Sequence, residues 1–311
     1  MKTIFFLGTP QIAVPTLEII ANDPAYEVIV GVFPDRKVGR KQIPTPCPVK
    51  KKALELDLSI TEIDSKEEII TAFKEIEFDL CIVIAFGMII PKAVFKMRET
   101  ATWDIINIHF SLLPQYRGAS PVQAAILDGV EESGISWQRM VYKLDAGDLL
   151  AEVPYDIQGK STGDLWESFA AETARHTPSF LNLYFDDKLE PRSQQELIDQ
   201  GIRSLSKCGM FKKSDGFIDP CIDSAELIYR KYLALNIWPG IQAKIEGKDK
   251  KETIIKLTKI SLEASENSFE VICADGISIY VSQAPLSGKR PMKIEELLRG
   301  FPDFYLGAKI K

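Results

Sequence analysis

Along the first half of the chain, short apolar blocks are separated by stretches in which apolar residues recur every three or four positions. Residues 3–7 form a compact apolar run that stops at Gly8-Thr9-Pro10, a turn signal, and Ile12, Leu17 and Ile20 follow at helical spacing. The same pattern predicts a strand at 27–32, a long loop rich in Pro, Lys and Arg at 33–49, and a helix that residues 50–52 begin. Further strands are predicted at 79–85, 105–108 and 135–142. The run at 79–85 is almost wholly apolar, as a strand covered on both faces must be. Strands alternating with helices predict an α/β fold, a Rossmann-like open sheet with parallel strands and crossover helices.

Beyond residue 163 the spacing is helical to about 185, and 186–207 is polar enough to read as a linker. After Cys208 the texture changes. A helix at 223–235 precedes short alternating strands at 241–245, 253–257, 268–273 and 276–281, which predict a small β-barrel of the OB-like kind. The expected organisation is therefore a domain at 1–185, a linker at 186–207 and a second domain at 208–311.

In open α/β sheets, chemistry collects beyond the carboxyl ends of the strands. The polar residues of note fall there: Thr9, the turn at Gly87, the pair Asn107 and His109, and Asp145. Residues two apart on a strand face the same side, so Asn107 and His109 project together. An amide can donate to an oxygen that becomes negative in a tetrahedral intermediate, and an imidazole can move a proton near neutral pH. A carboxylate such as Asp145 can orient that imidazole or hold a water that relays protons. The chain has only two histidines, so imidazole chemistry rests on His109 or His176.

Other features narrow the class. Five scattered cysteines, Cys47, Cys81, Cys208, Cys221 and Cys273, show no metal-ligand or redox spacing and suit a reducing cytosol. The N-terminal apolar stretch is too brief for a signal peptide, and no apolar run approaches the ~20 residues of a membrane span. A cytoplasmic protein that needs no membrane is expected. The net charge of −6 argues against a nucleic-acid coat protein, but it is uneven: residues 208–311 carry +2 and the remainder −8.

The string Asn107-Ile108-His109-Phe110-Ser111-Leu112-Leu113-Pro114-Gln115-Tyr116-Arg117-Gly118, with Asp145 in Leu144-Asp145-Ala146-Gly147-Asp148, resembles the signature of the folate-dependent formyltransferases. The opening Phe6-Leu7-Gly8-Thr9-Pro10 is similar as well. The resemblance implies transfer of a formyl group from 10-formyltetrahydrofolate to a primary amine, without a metal, with Asn107, His109 and Asp145 as catalytic residues. It also implies that the folate lies against Phe86, Gly87, Met88, Ile89 and Ile90, against Ser111, Leu112, Leu113 and Pro114, and against Tyr142 and Leu144. Phe110 departs from the usual small residue after the His, which leaves the shape of the amine pocket open. The pair Trp103-Asp104 has no account at this level.

Within that family the chain most resembles the methionyl-tRNA formyltransferases. Its length exceeds the catalytic domain alone. Its basic loop is similar to the insertion with which those enzymes reach the acceptor end of initiator methionyl-tRNA. Asn236-Ile237-Trp238-Pro239 is similar to a stretch of their second domain. The resemblance implies a tRNA contact at Arg40 in that loop, where Arg36, Lys37 and Lys41 are candidate tRNA contacts as well; Lys207, Lys248, Lys250, Lys251, Lys289 and Arg290 are candidate phosphate contacts, and a monomer is expected. The alternatives are a UDP-amino-sugar formyltransferase, a non-catalytic tRNA or folate binder and, last, a dehydrogenase, for which Gly8-Thr9-Pro10 lacks the spaced glycines.

Overall fold

The structure is a computed structural model that describes residues 1–39, 41–246, 252–265 and 268–284. It divides into two compact units, one built from 1–121, 132–156 and 166–208, the other from 122–131, 157–165 and 209–311.

The first unit is organised by a seven-stranded sheet in the order Ser59–Glu62, Tyr26–Val32, Lys2–Gly8, Leu80–Ile84, Asp104–His109, Glu132–Arg139, Leu149–Asp156. The first five strands run parallel, and their order reverses between Lys2–Gly8 and Leu80–Ile84. In open α/β sheets ligands bind beyond the carboxyl ends of the strands at such a reversal. The last two strands are antiparallel to their neighbours, so the sheet is mixed rather than wholly parallel. The return from Arg139 to Leu149 has no helix with which to cross the sheet, and a strand that comes straight back pairs antiparallel; the antiparallel pairing of Glu132–Arg139 with Asp104–His109 follows a connection that does carry a helix, Pro121–Asp128.

The aromatic residues of Lys2–Gly8 anchor the core. Phe5 packs against Phe73 and Phe78 with ring centres 5.6 and 5.5 Å away. Trp103 closes this cluster at 5.4 Å from Phe73 and 5.3 Å from Phe78. Its neighbour Asp104 accepts from Arg98 at 3.2 Å, from Arg139 at 2.5 Å and from the Ile105 N–H at 2.8 Å. The pair Trp103-Asp104 thus seals the amino end of the strand that carries Asn107 and His109. Phe110, 6% exposed, stacks edge-on against Phe169 at 5.5 Å, so it packs into the core.

Two stretches differ from their expected form. The basic loop folds into a hairpin, Arg36–Val38 against Ile43–Thr45. Residues 186–207, expected as a linker, pack onto the first unit. Leu149 and Arg192 exchange backbone hydrogen bonds, and Ser193 caps the helix Gln194–Asp199. Leu197 is buried with Leu113 and Leu149. Lys207–Cys208 pairs in parallel with Arg117–Gly118. A stretch tied down mostly by hydrogen bonds, with Leu197 as its buried apolar residue, lacks the periodicity that would mark it as structured.

In the second unit, Ser224 caps the helix Ala225–Leu235, accepting from the Leu227 N–H at 3.2 Å. Thr162 donates to the Ala234 carbonyl at 2.7 Å and fastens the other end. The described strands form two small antiparallel sheets: Ile241–Glu246 with Glu252–Leu257, and Lys259–Ser261, Ser278–Gln283 and Phe269–Ile272 in that order. Apolar side chains from both, Ile241, Ile255, Ile260, Val271 and Ile279 among them, are buried.

Candidate active site

Asn107 and His109 leave the carboxyl end of Asp104–His109 on the same side, as their spacing predicts. The Asn107 carboxamide is half-buried and has no hydrogen-bond partner among the described residues, so both its donors are free for a ligand.

His109 is 7% exposed, and its Nε2 lies 2.9 Å from the Tyr116 carbonyl. A carbonyl only accepts, so Nε2 carries a proton and Nδ1 faces the Asp145 Oδ2 at 3.9 Å. That gap is too long for a direct hydrogen bond. It suits a proton carrier bonded to both atoms, or an ion pair once Nδ1 is protonated. The Cys208 thiol donates to the same Tyr116 carbonyl at 3.3 Å, and burial holds its pKa up.

The chain between His109 and Asp145 is pinned by buried hydroxyls. Ser111 donates to the Gln115 carbonyl at 2.6 Å. Ser136 accepts from the Leu113 N–H at 3.1 Å and donates to the Ser111 carbonyl at 2.7 Å. These bonds fix the bend that brings the Tyr116 carbonyl back to His109.

The Asp145 side chain is 8% exposed, and the residue sits at φ 48, in the left-handed region. Its Oδ2 accepts from the Gly118 N–H and its Oδ1 from Gln138 Nε2, both at 2.9 Å. Behind it lies Arg117, a buried guanidinium whose pKa is pushed down by burial while the charge of Asp145 opposes that shift. The sequence alone singles out neither Gln138 nor Gln194, which bond to Asp145, and Arg117 appears there only within the motif string. Gln138 left no usable signal, since the strand Glu132–Arg139 that carries it is itself mostly polar. Gln194 left none either.

The expected folate residues divide by burial. Phe86, Ile90, Ser111, Leu112, Leu113 and Pro114 are buried, so a ligand meets them through backbone or edge. Thr9 donates to the Phe86 carbonyl at 2.7 Å, and Phe86 stacks on Phe33 at 5.2 Å, which fixes the turn at Gly87. Met88 packs against the core. In contrast, Ile89, Tyr142 and Leu144 are 73%, 59% and 64% exposed, apolar surface of the kind a flat ring can cover. Among the expected tRNA residues, Arg36, Lys37, Lys41 and Lys207 are exposed. Arg36 lies 4.5 Å over the Phe33 ring and 3.5 Å from Asp64, while Lys37 and Lys41 make no ion pair among the described residues. Arg40, Lys248, Lys250, Lys251, Lys289 and Arg290 lie outside the described residues.

Comparison with known proteins shows the family. The family model described as formyl transferase matches residues 1–178, and the one described as formyl transferase, C-terminal domain, matches 210–302. The chain belongs to the formyl transferase family. Two relatives named methionyl-tRNA formyltransferase run the length of it. That of Campylobacter lari is 35% identical, covering 96% of this chain and 97% of its own. That of Bacillus licheniformis is 31% identical, covering 96% and 95%.

Solved structures share the formyl transferase fold. WlaRD, a sugar 3N-formyl transferase solved in the presence of dTDP and 5-N-formyl-THF, aligns with TM-score 0.64 at 20% identity, covering 93% of this chain and 99% of that one. HypX from Aquifex aeolicus aligns with TM-score 0.66 at 14% identity, covering 97% of this chain, which spans 48% of that protein. Among the described residues, no helix is long and apolar enough to cross a membrane, and no cluster of His, Cys, Asp and Glu is arranged to hold a metal.

Proposed function

We propose that this chain transfers the formyl group of 10-formyltetrahydrofolate to the amino group of methionine carried on initiator tRNA, with Asn107, His109 and Asp145 as its catalytic residues. The observation that carries the reading is the buried His109 held between the Tyr116 carbonyl and Asp145, on a strand that also offers an unpaired Asn107. Full-length likeness to methionyl-tRNA formyltransferases supports the acceptor.

The amine attacks the formyl carbon, a C–N bond forms and the formyl oxygen takes a negative charge. Asn107 donates to that oxygen as the charge develops. The proton lost by the amine passes to His109 Nδ1, directly or through a water shared with Asp145, and the new imidazolium faces the carboxylate. The intermediate collapses by breaking the bond from the formyl carbon to the folate nitrogen, which takes the proton. Nothing is oxidised or reduced, and no covalent enzyme adduct is needed.

Exposed Ile89, Tyr142 and Leu144 and the open backbone at Gly87 suit the flat ring of the folate donor. The basic hairpin with Arg36, Lys37 and Lys41, continued by Arg40, suits tRNA phosphates, as does Lys207. Residues 1–185 are the catalytic portion and 208–311 an OB-like portion that helps hold the tRNA. The enzyme acts as a monomer in the cytoplasm, where charged initiator tRNA is made.

A sugar-nucleotide amine is the second reading, favoured by the structural likeness to sugar formyl transferases. The basic hairpin has no use in that reading. Replacement of Asn107 or His109 by Ala tests the site itself. Each is expected to lower turnover by about a hundredfold or more while thermal unfolding is unchanged. Wild-type rates in either folded variant remove the assigned roles.

A further inference from the structure

Asp145 is held in a conformation that non-glycine residues rarely adopt, at φ 48. Such a residue persists only when its surroundings over-determine it. The carboxylate is fixed from one side by the Gly118 N–H and by Gln138. The backbone of the same turn is fixed from the other side by one side chain, Gln194.

Gln194 is 2% exposed and uses every hydrogen-bonding site it has. Its Nε2 donates to the Asp145 carbonyl at 3.0 Å and to the Gly147 carbonyl at 2.7 Å. Its Oε1 accepts from Arg117 Nε at 3.0 Å and Nη2 at 2.6 Å. Two carbonyls on one side and a guanidinium on the other leave no ambiguity about which end is which. Arg117 precedes Gly118, whose N–H grips the carboxylate. One amide therefore ties the Asp145 turn to the strand Arg117–Gly118, beside the direct bond from the Gly118 N–H to the carboxylate. All these residues belong to the first unit.

We propose that Gln194 is a positioning residue for the reaction: it locks the backbone of the Asp145 turn so that the carboxylate faces His109 Nδ1. The inference rests on the reading of His109 and Asp145 as the catalytic pair. Gln194 lies 49 residues from Asp145 in a polar stretch with no role of its own in that reading. Losing the amide donors frees the strained turn to relax, and Asp145 swings away from His109. A displacement of about 1 Å at a reacting group costs on the order of a hundredfold in rate.

The test compares Gln194→Glu, Gln194→Ala and the neighbouring Gln195→Ala with wild type. Gln194→Glu keeps the shape and the Arg117 contact but turns a carboxylate oxygen toward the two carbonyls. Both Gln194 variants are expected to lose about tenfold to a hundredfold in kcat, with KM for donor and acceptor within about threefold. Gln195→Ala is expected to match wild type.

A second readout comes from nitrogen NMR of the histidine rings. His109 and His176 are the only histidines, so a His176→Gln variant assigns them. The His109 Nδ1 resonance is expected to move in both Gln194 variants. Folded Gln194→Glu with wild-type kcat, or with an unmoved His109 Nδ1 signal, overturns the proposal. Asp145→Asn separates the levels: if it turns over like wild type, the underlying reading has failed. If it is inactive and Gln194→Glu is not, only the positioning role has.

Discussion

Gly147→Ala puts a methyl group where the structure has no room for one. A Cβ built on Gly147 would lie 1.6 Å from the Arg139 carbonyl oxygen and 2.8 Å from its carbon. Contacts below 3.0 Å are essentially never made by real Cβ atoms, so the turn must retreat by about 1.4 Å. The obstacle is backbone at the end of the strand Glu132–Arg139, paired on both sides, and cannot swing aside. The turn that moves carries Asp145 two residues earlier, and the Gly147 carbonyl accepts the shorter of the two Gln194 bonds. Overpacking of this kind costs about 1–3 kcal/mol in stability, which a domain stable by ~5–15 kcal/mol survives. A catalytic group displaced by about 1 Å loses on the order of a hundredfold in rate. Steady-state kinetics beside a thermal melt separates the two effects: a folded protein with kcat down by about that factor and KM little changed is expected. A folded Gly147→Ala protein with wild-type kcat would refute the claim that the placement of Asp145 limits the reaction.

Two further outcomes follow from the same geometry. Asp104→Ala leaves Arg98 and Arg139 without their shared partner. Both guanidiniums reach solvent, so the expected loss is only about 1–2 kcal/mol in a urea melt, with turnover nearly retained; loss of activity without loss of stability would show that Asp104 serves the site directly. Lys37→Ala and Lys41→Ala are expected to raise KM for charged tRNA, and each to lower the slope of log KM against log salt by about one, leaving KM for the folate alone. Unchanged salt slopes would take the hairpin out of tRNA binding.

What was legible in the sequence was what has a local signature. Asn107 and His109 stood out because two polar side chains end an apolar strand at the spacing that puts them on one face. The central strands were visible as apolar runs, and the helix Ala225–Leu235 by its spacing. Asp145 stood out as a carboxylate beyond a strand end, and resemblance strengthened its pairing with His109, since nothing within a turn of chain links the two. The edge strand Ser59–Glu62, four residues with one apolar side chain, carries too little pattern to see. Strand direction was equally hidden: the residues of Glu132–Arg139 read the same whether paired parallel or antiparallel. Gln194 shows the limit most clearly. Its bonds run to backbone carbonyls and to Arg117, 77 residues away, and leave no mark on neighbouring positions.

The central claim is that a one-carbon unit meets an amine between Asn107, His109 and Asp145, and that the amine belongs to methionine on initiator tRNA. Purified protein given 10-formyltetrahydrofolate, with charged initiator tRNA in one reaction and an amino-sugar nucleotide in the other, tests it most directly. The account predicts formyl-methionine on the tRNA and an unmodified sugar. A formylated sugar beside an unmodified tRNA would contradict it.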